Sequence, residues 1–232
     1  MSLRLDAIAG FVRFRTLADV GTDHAQLPVK LVKAGKIDRA IASDVNAKPL
    51  ENARQTIEKH GFLAQIETRL SNGLDKIAPG EAEALVISGM GGELIAAILA
   101  ANPEVAANFS QLILQPQADV ALLRRFLHGA GFRIRSEELV FEKNFYFILD
   151  CEPGTEDIPY SDTEYELSRH LMAWKPDVFV EYLKILLQKK RRILASMKNM
   201  TTNPGRKHLE QRTADELEML IRACSKSSGC TF

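Results

Sequence analysis

Between residues 16 and 151, short β-branched or apolar runs alternate with stretches of helical periodicity, and this alternation limits the possible folds more than any other feature. Thr16–Val20, Arg39–Ser43, Ala64–Leu70, Glu83–Ser88 and Gln111–Gln115 read as strands. Ala25–Ala34, Ala47–His60, Gly91–Ala101 and Asp119–Gly129 read as the helices that separate or follow them. Strands joined through helices pair in parallel and need cover on both faces of the sheet. Right-handed crossovers then leave a doubly wound α/β sheet as the favoured topology. Two longer runs, Phe132–Glu142 and Phe145–Cys151, meet at Lys143-Asn144 and predict a terminal antiparallel pair.

The rest of the chain has a different period. From Asp177 to Met200, Phe179, Tyr182, Leu186, Ile193 and Met197 recur at helical steps. After the turn-forming Thr201–Gly205, Leu209, Thr213, Leu217, Leu220 and Cys224 do the same, and Ser225–Phe232 is expected to fray. Two such helices predict an antiparallel, coiled-coil-like hairpin. The proline- and glycine-bearing stretch Cys151–Tyr160 marks the expected boundary, giving domains of 1–159 and 160–232.

Composition matters here because it misleads when averaged. The chain carries 30 basic and 30 acidic side chains and no net charge, which taken alone disfavours a nucleic-acid partner. Residues 1–159 hold 17 basic and 21 acidic side chains, and residues 160–232 hold 13 and 9. An acidic body therefore precedes a basic tail whose densest cluster is Lys189-Lys190-Arg191-Arg192. A hydrophobic fraction of 46% with 26% charged residues belongs to globular proteins. No apolar run is long enough to span a bilayer, and the first residues lack a signal-like core. Three cysteines form no disulfide or metal framework and favour a reducing cytoplasm. The five histidines are scattered, so no metal site is expected.

Five short segments fall at the carboxyl ends of the expected parallel strands, where open α/β sheets bind ligands. The first, Asp19-Val20-Gly21-Thr22-Asp23-His24, has one glycine where a dinucleotide fingerprint needs three. Its acids disfavour a pyrophosphate and suit a cationic ligand such as S-adenosylmethionine; a tight turn without a ligand is the alternative. Asp44 in Ser43-Asp44-Val45-Asn46 is placed to accept ribose hydroxyls, or else to cap the next helix. Asn72-Gly73 suits an adenine edge or an ordinary turn. Three glycines in Gly89-Met90-Gly91-Gly92 imply backbone crowded by a ligand. Gln115-Pro116-Gln117 either bonds a base or simply ends a strand.

Taken in order, ADVGTDHAQLP (Ala18–Pro28), ASDVN (Ala42–Asn46), SNGL (Ser71–Leu74), ISGMGG (Ile87–Gly92) and LQPQ (Leu114–Gln117) resemble the TrmK family of bacterial tRNA (adenine-22 N1)-methyltransferases. The resemblance spans most of the chain, including the terminal hairpin. Asn72 and Gln117 depart from the family's usual aspartate and asparagine. The resemblance implies a Rossmann-like class I methyltransferase sheet, an S-adenosylmethionine cofactor, a tRNA substrate and no obligate protein partner. Its cofactor-binding set is Asp19, Gly21, Thr22, Asp23, His24, Asp44, Val45, Asn72, Gly73, Gly89, Met90 and Gly91, and its catalytic set is Asp23, His24 and Gln115. Lys189, Lys190, Arg191, Arg192, Arg206 and Lys207 are the expected RNA contacts. The competing readings are a methyltransferase of similar fold with another substrate and a non-catalytic adaptor using the hairpin.

Overall fold

The computed structural model describes residues 2–197 and 204–227. Its strands are β1 (Thr16–Val20), β2 (Arg39–Asp44), β3 (Ile66–Leu70), β4 (Ala84–Met90), β5 (Gln111–Pro116), β6 (Phe132–Glu142) and β7 (Asn144–Pro153). They form one sheet in the order β3-β2-β1-β4-β5-β7-β6. The first five run parallel, and β7 is antiparallel to both β5 and β6. From β1 the chain winds outward through β2 to β3, then returns to β4 beside β1 and winds the other way. Right-handed crossovers in opposite directions put helices on opposite faces of the sheet. The β1/β4 junction is thus the switch point, and the carboxyl ends of those strands open a crevice.

The helices of this unit are α1 (Leu3–Phe11), α2 (Gln26–Lys33), α3 (Ala47–Lys59), α4 (Gly92–Ala101), α5 (Pro103–Ala107), α6 (Val120–Gly129) and α7 (Asp162–Leu167). Strands β1 and β5 are buried along almost their whole length and β4 from Ala84 to Ile87, as expected of a sheet covered on both sides. One core cluster joins Ile8 of α1, Leu27 and Leu31 of α2 and Ile57 of α3 to Leu17, Val86 and Ile113 of the sheet. Helix α1 has little amphipathic period and was not expected from the sequence. It is fixed by caps and partners instead. Ser2 Oγ accepts from Leu5 N at 3.4 Å, and Glu142 at the end of β6 accepts from Ser2 Oγ at 2.8 Å and Leu3 N at 3.2 Å. These donors hold the Glu142 carboxyl below the usual carboxylate range, Ser2 contributing most.

The chain divides into two compact units, Met1–His170 and Leu171–Phe232, so the division falls later than the Tyr160 expected. It lies within the short helix α8 (Arg169–Trp174). Residues 160–170 belong with the first unit because α7 is tied to the sheet domain. Arg124 of α6 and Glu137 of β6 are both fully buried and pair at 2.7 Å. The same guanidinium donates to the carbonyls of Tyr165 at 2.6 Å and Glu166 at 3.3 Å. Helix α7 itself starts on a capping box, Ser161 with Glu164. With this boundary the first unit has 18 basic and 24 acidic side chains and the second has 12 and 6, so the charge division is sharper than expected.

In the second unit α9 (Asp177–Met197) and α10 (Pro204–Ser227) pack together as a helical hairpin. Ser225–Ser227, expected to fray, lie within α10; the later residues are outside the described ones. The buried seam of α9 is Phe179, Leu183, Leu187 and Met197, met by Ala214, Leu217 and Cys224. Tyr182, Leu186 and Ile193 flank that seam rather than fill it, since a strict four-residue step from Phe179 selects Leu183 and Leu187. Among the described residues no helix is long and apolar enough to cross a membrane, and no cluster of three or more His, Cys, Asp or Glu could hold a metal.

Candidate active site

The loop after β1 determines what the crevice can bind. Gly21 N and Thr22 N both donate to Ser43 O, at 2.8 and 2.9 Å. These two amides are therefore used inside the fold and are not available to cradle a phosphate. It presents carboxylates instead. Asp19 is buried, accepts from Thr22 Oγ1 at 2.7 Å, and lines a cavity of about 240 Å³. Burial pushes its carboxyl up to about 6; the Thr22 hydrogen bond lowers it and neighbouring Asp23 raises it further. A buried carboxylate in that state is suited to a cationic partner. Asp23 lines the same cavity and is largely exposed, with His24 Nε2 3.4 Å from its Oδ1. His24 and Ala25 both have positive φ, 55° and 51°, a conformation costly for non-glycine residues.

A second, smaller cavity of about 110 Å³ lies across Gly21 from the first. It is lined by Val20, Gly21, Asp44, Val45, Ser71, Asn72 and Gly73, with Met90, Leu94 and Ile98. Asp44 Oδ1 accepts from Asn46 N at 2.8 Å, an Asx turn into α3. Asn46 occupies the cap position without a side-chain bond, so the turn belongs to Asp44. Asn72 Nδ2 lies 3.5 Å from Asp75. Gly21 (φ 75°) is favoured by its backbone conformation, and a Cβ there would displace the flexible Met90 methyl that rests against it. The Met90 side chain therefore rests on Gly21, the residue that both cavities share.

The glycines after β4 divide by role. β4 continues past Ser88 through a bulge at Gly89, where the register with β5 shifts between Ser88 and Met90. Gly89 (φ 80°) lines the larger cavity. Gly91 precedes α4 with open space around it. Gly92 is crowded by the chain itself and not by a ligand: a Cβ there would meet the carbonyls of Asp119 and Ala118. Gln115 also differs from expectation. It is fully buried and does not line the cavity; its Oε1 accepts from Gly89 N and from Arg4 Nη1, each at 3.2 Å. Gln117, two residues on, lines the cavity.

The structure thus brings Asp19, Gly21, Asp23 and Gly89 to one cavity and Asp44, Val45, Asn72, Gly73 and Met90 to the other. Thr22 acts from beneath through Asp19, and His24 stands beside Asp23 outside both linings. Arg4, Leu5, Gln26, Leu27 and Ser88 complete the larger cavity and were missed. The serine at Ser2, an N-cap ahead of Arg4, was the available signal for α1. A roomier cavity of about 510 Å³ opens at the amino ends of the strands, beside Thr16, Arg39, Gln65 and Glu81. That edge is the wrong one for a switch-point ligand.

The expected RNA contacts are not equivalent. Lys190 pairs with Glu210 at 2.8 Å and Arg191 with Glu218 at 2.7 Å, so both cross-link the helical hairpin. Lys189, Arg192 and Lys207 are exposed and form no ion pair among the described residues. The Arg206 side chain is outside the described ones.

A family profile described as a methyltransferase domain matches residues 1–149. The tRNA (adenine(22)-N(1))-methyltransferase of Bacillus subtilis is 30% identical over 226 residues, covering 95% of each chain. The solved structure of Streptococcus pneumoniae Sp1610 with S-adenosyl-L-methionine is 31% identical, with a TM-score of 0.85 over 95% of this chain and 99% of that one. M. capricolum TrmK with S-adenosyl-homocysteine is 26% identical, with a TM-score of 0.82 over 96% and 98%. The switch-point crevice, its acidic loop and these likenesses along nearly the whole length agree: the chain belongs to the TrmK-like family of tRNA (adenine-22 N1)-methyltransferases.

Proposed function

We propose that the protein transfers a methyl group from S-adenosylmethionine to N1 of an adenine in tRNA, at position 22 as named for its B. subtilis relative. The observation that carries this reading is the acidic loop whose first two amides are spent on Ser43 O, with Asp19 buried at the switch point. The cofactor supplies an electrophilic methyl on a sulfonium. Asp19 would take its ammonium, Asp44 and Val45 its ribose, and Asn72, Gly73, Leu94 and Ile98 its adenine. Adenine N1 has an in-plane lone pair and needs no prior deprotonation, so positioning provides much of the acceleration. Asp23 stabilises the positive charge that grows on the base, with His24 beside it. Gln117 offers the base a hydrogen-bonding amide, while Gln115 positions the Gly89 backbone.

N1 is hidden in a Watson–Crick pair, so the adenine must leave the stack to react. The Met1–His170 unit is read as catalytic and the Leu171–Phe232 hairpin as its RNA-binding partner, with Lys189, Arg192, Arg206 and Lys207 meeting phosphates. A tRNA substrate and buried thiols at Cys151 and Cys224 suit a cytoplasmic protein. Incubation with labelled cofactor and a tRNA transcript, followed by nucleoside analysis, should give 1-methyladenosine that disappears when adenine 22 is replaced by guanine. Label in another nucleoside, or none, would refute the reading.

A further inference from the structure

The β6–β7 hairpin projects beyond the sheet on the side of the crevice. Pairing of β7 with β5 ends at Leu149, yet β7 pairs with β6 out to Asn144. Five residues thus extend past the last shared rung, roughly 17 Å at the rise of a strand. Phe141 and Phe145 are directly opposed near the tip, with ring centroids 4.8 Å apart, and Phe141 is 53% exposed. Strand alternation puts Leu139 and Phe147 on the same face lower down, where they are buried. The apolar stripe therefore emerges from the core into solvent.

The tip is also cationic in an otherwise acidic unit. Lys143 turns the hairpin at φ 67°, where glycine would be unstrained. Glu142, its acidic neighbour, is occupied by the first turn of α1. On the opposite face Tyr146 lies under the Arg4 guanidinium, 5.2 Å from its ring centroid. Arg4 is in turn the one cation lining the larger cavity among the described residues. The hairpin and the cavity therefore share a residue.

We propose that this hairpin tip is an RNA-docking finger: Phe141 and Phe145 stack against an unpaired nucleobase next to the target adenosine, and Lys143 and Arg4 hold the flanking phosphates. The inference rests on the proposed tRNA methylation and adds to it the surface that receives the disturbed strand. Exposed aromatic rings interleaved with cations form the usual platform for single-stranded nucleic acid, and an apolar wedge is a common device for holding a base out of its stack.

The test uses the full chain and a tRNA transcript carrying 2-aminopurine beside the target position. Phe141→Leu should raise KM for tRNA about fivefold to a hundredfold, the range for losing one stacked base, and leave S-adenosylhomocysteine affinity unchanged. Phe141→Tyr should retain both tRNA affinity and the quenching of 2-aminopurine fluorescence. Lys143→Gly removes charge and backbone strain together, so it should melt no lower than the parent while binding tRNA more weakly and with a shallower salt slope. A parental KM and parental quenching in Phe141→Leu overturn the proposal. If the unaltered protein puts no methyl on tRNA adenine, the functional reading has failed instead; active methylation with indifferent tip variants sinks the finger alone.

Discussion

Asp19 has opposite effects on folding and on binding. Its folded carboxyl titrates near 6 instead of the usual 3.8, so the native state holds the proton more tightly than the unfolded chain. Its own contribution to stability is therefore most favourable below pH 3.8, falls between there and about 6, and stays lower above, by on the order of 3 kcal/mol. Asp19→Asn should accordingly raise the melting temperature of the cofactor-free protein at pH 7.5, with the gain shrinking as the pH approaches 4. Binding runs the other way. A cationic cofactor needs the carboxylate, so its affinity should weaken roughly tenfold per pH unit below about 6, and calorimetry on Asp19→Asn should find weak, pH-flat binding. At the same scale, Asp19 and Asp23 line one cavity and Asp44 the other, but the sequence could not separate Gln115 from Gln117. Gln115 lies inside β5 and is held by Arg4 and Gly89 N, whereas Gln117 follows the strand's end, and partners so distant in sequence leave no local pattern. Gly92 was misread because the chain's own backbone can crowd a glycine as closely as a ligand. Gly92→Ala should cost about 1–3 kcal/mol by overpacking, visible as a lower denaturation midpoint.

At the scale of elements, periodicity recovered every strand and the four longer crossover helices to within a few residues, and missed the five-residue α5 between β4 and β5. What it missed was held by other means. Helix α1 depends on Glu142, 140 residues from its cap in sequence, and no local pattern reports such a partner. Helix α7 was legible, for Ser161-Asp162-Thr163-Glu164 is a capping box, but it was too short to show a period. Its attachment through Arg124 and Glu137 moved the domain boundary. Removing one partner of that pair leaves a charge buried alone, so Glu137→Gln should destabilise the first unit by about 3–5 kcal/mol. The double variant Arg124→Met with Glu137→Leu should recover much of that loss. Chemical denaturation of the three proteins would measure both effects.

For the whole molecule, neutrality is a cancellation between units of net charge −6 and +6. Within the basic unit, half of the central cluster is engaged in holding the two helices together. The two kinds of basic residue should therefore separate in experiment. Neutralising Lys189 and Arg192 should flatten the salt dependence of tRNA binding, by about one unit of log–log slope for each phosphate left without its cation, and should not lower the melting temperature. Neutralising Lys190 and Arg191 should disturb the hairpin's own stability, by up to about 1 kcal/mol per exposed pair. A salt slope equal to the unaltered protein's in both variants would mean that neither pair meets phosphate.

The Met90 side chain resting on Gly21 has a kinetic consequence. Gly21, which both cavities share, is covered by one unbranched thioether, on a backbone already fixed by the Ser43 carbonyl and the Gly89 bulge. Entry of an elongated ligand then requires a side-chain rotation, which takes nanoseconds, and no loop opening, which takes microseconds or longer. Stopped-flow mixing with S-adenosylhomocysteine should show a single phase whose rate rises linearly with concentration. A Met90→Leu variant should keep the same linear dependence, since its side chain also turns within nanoseconds, and a plateau in either protein would point to a slower loop opening.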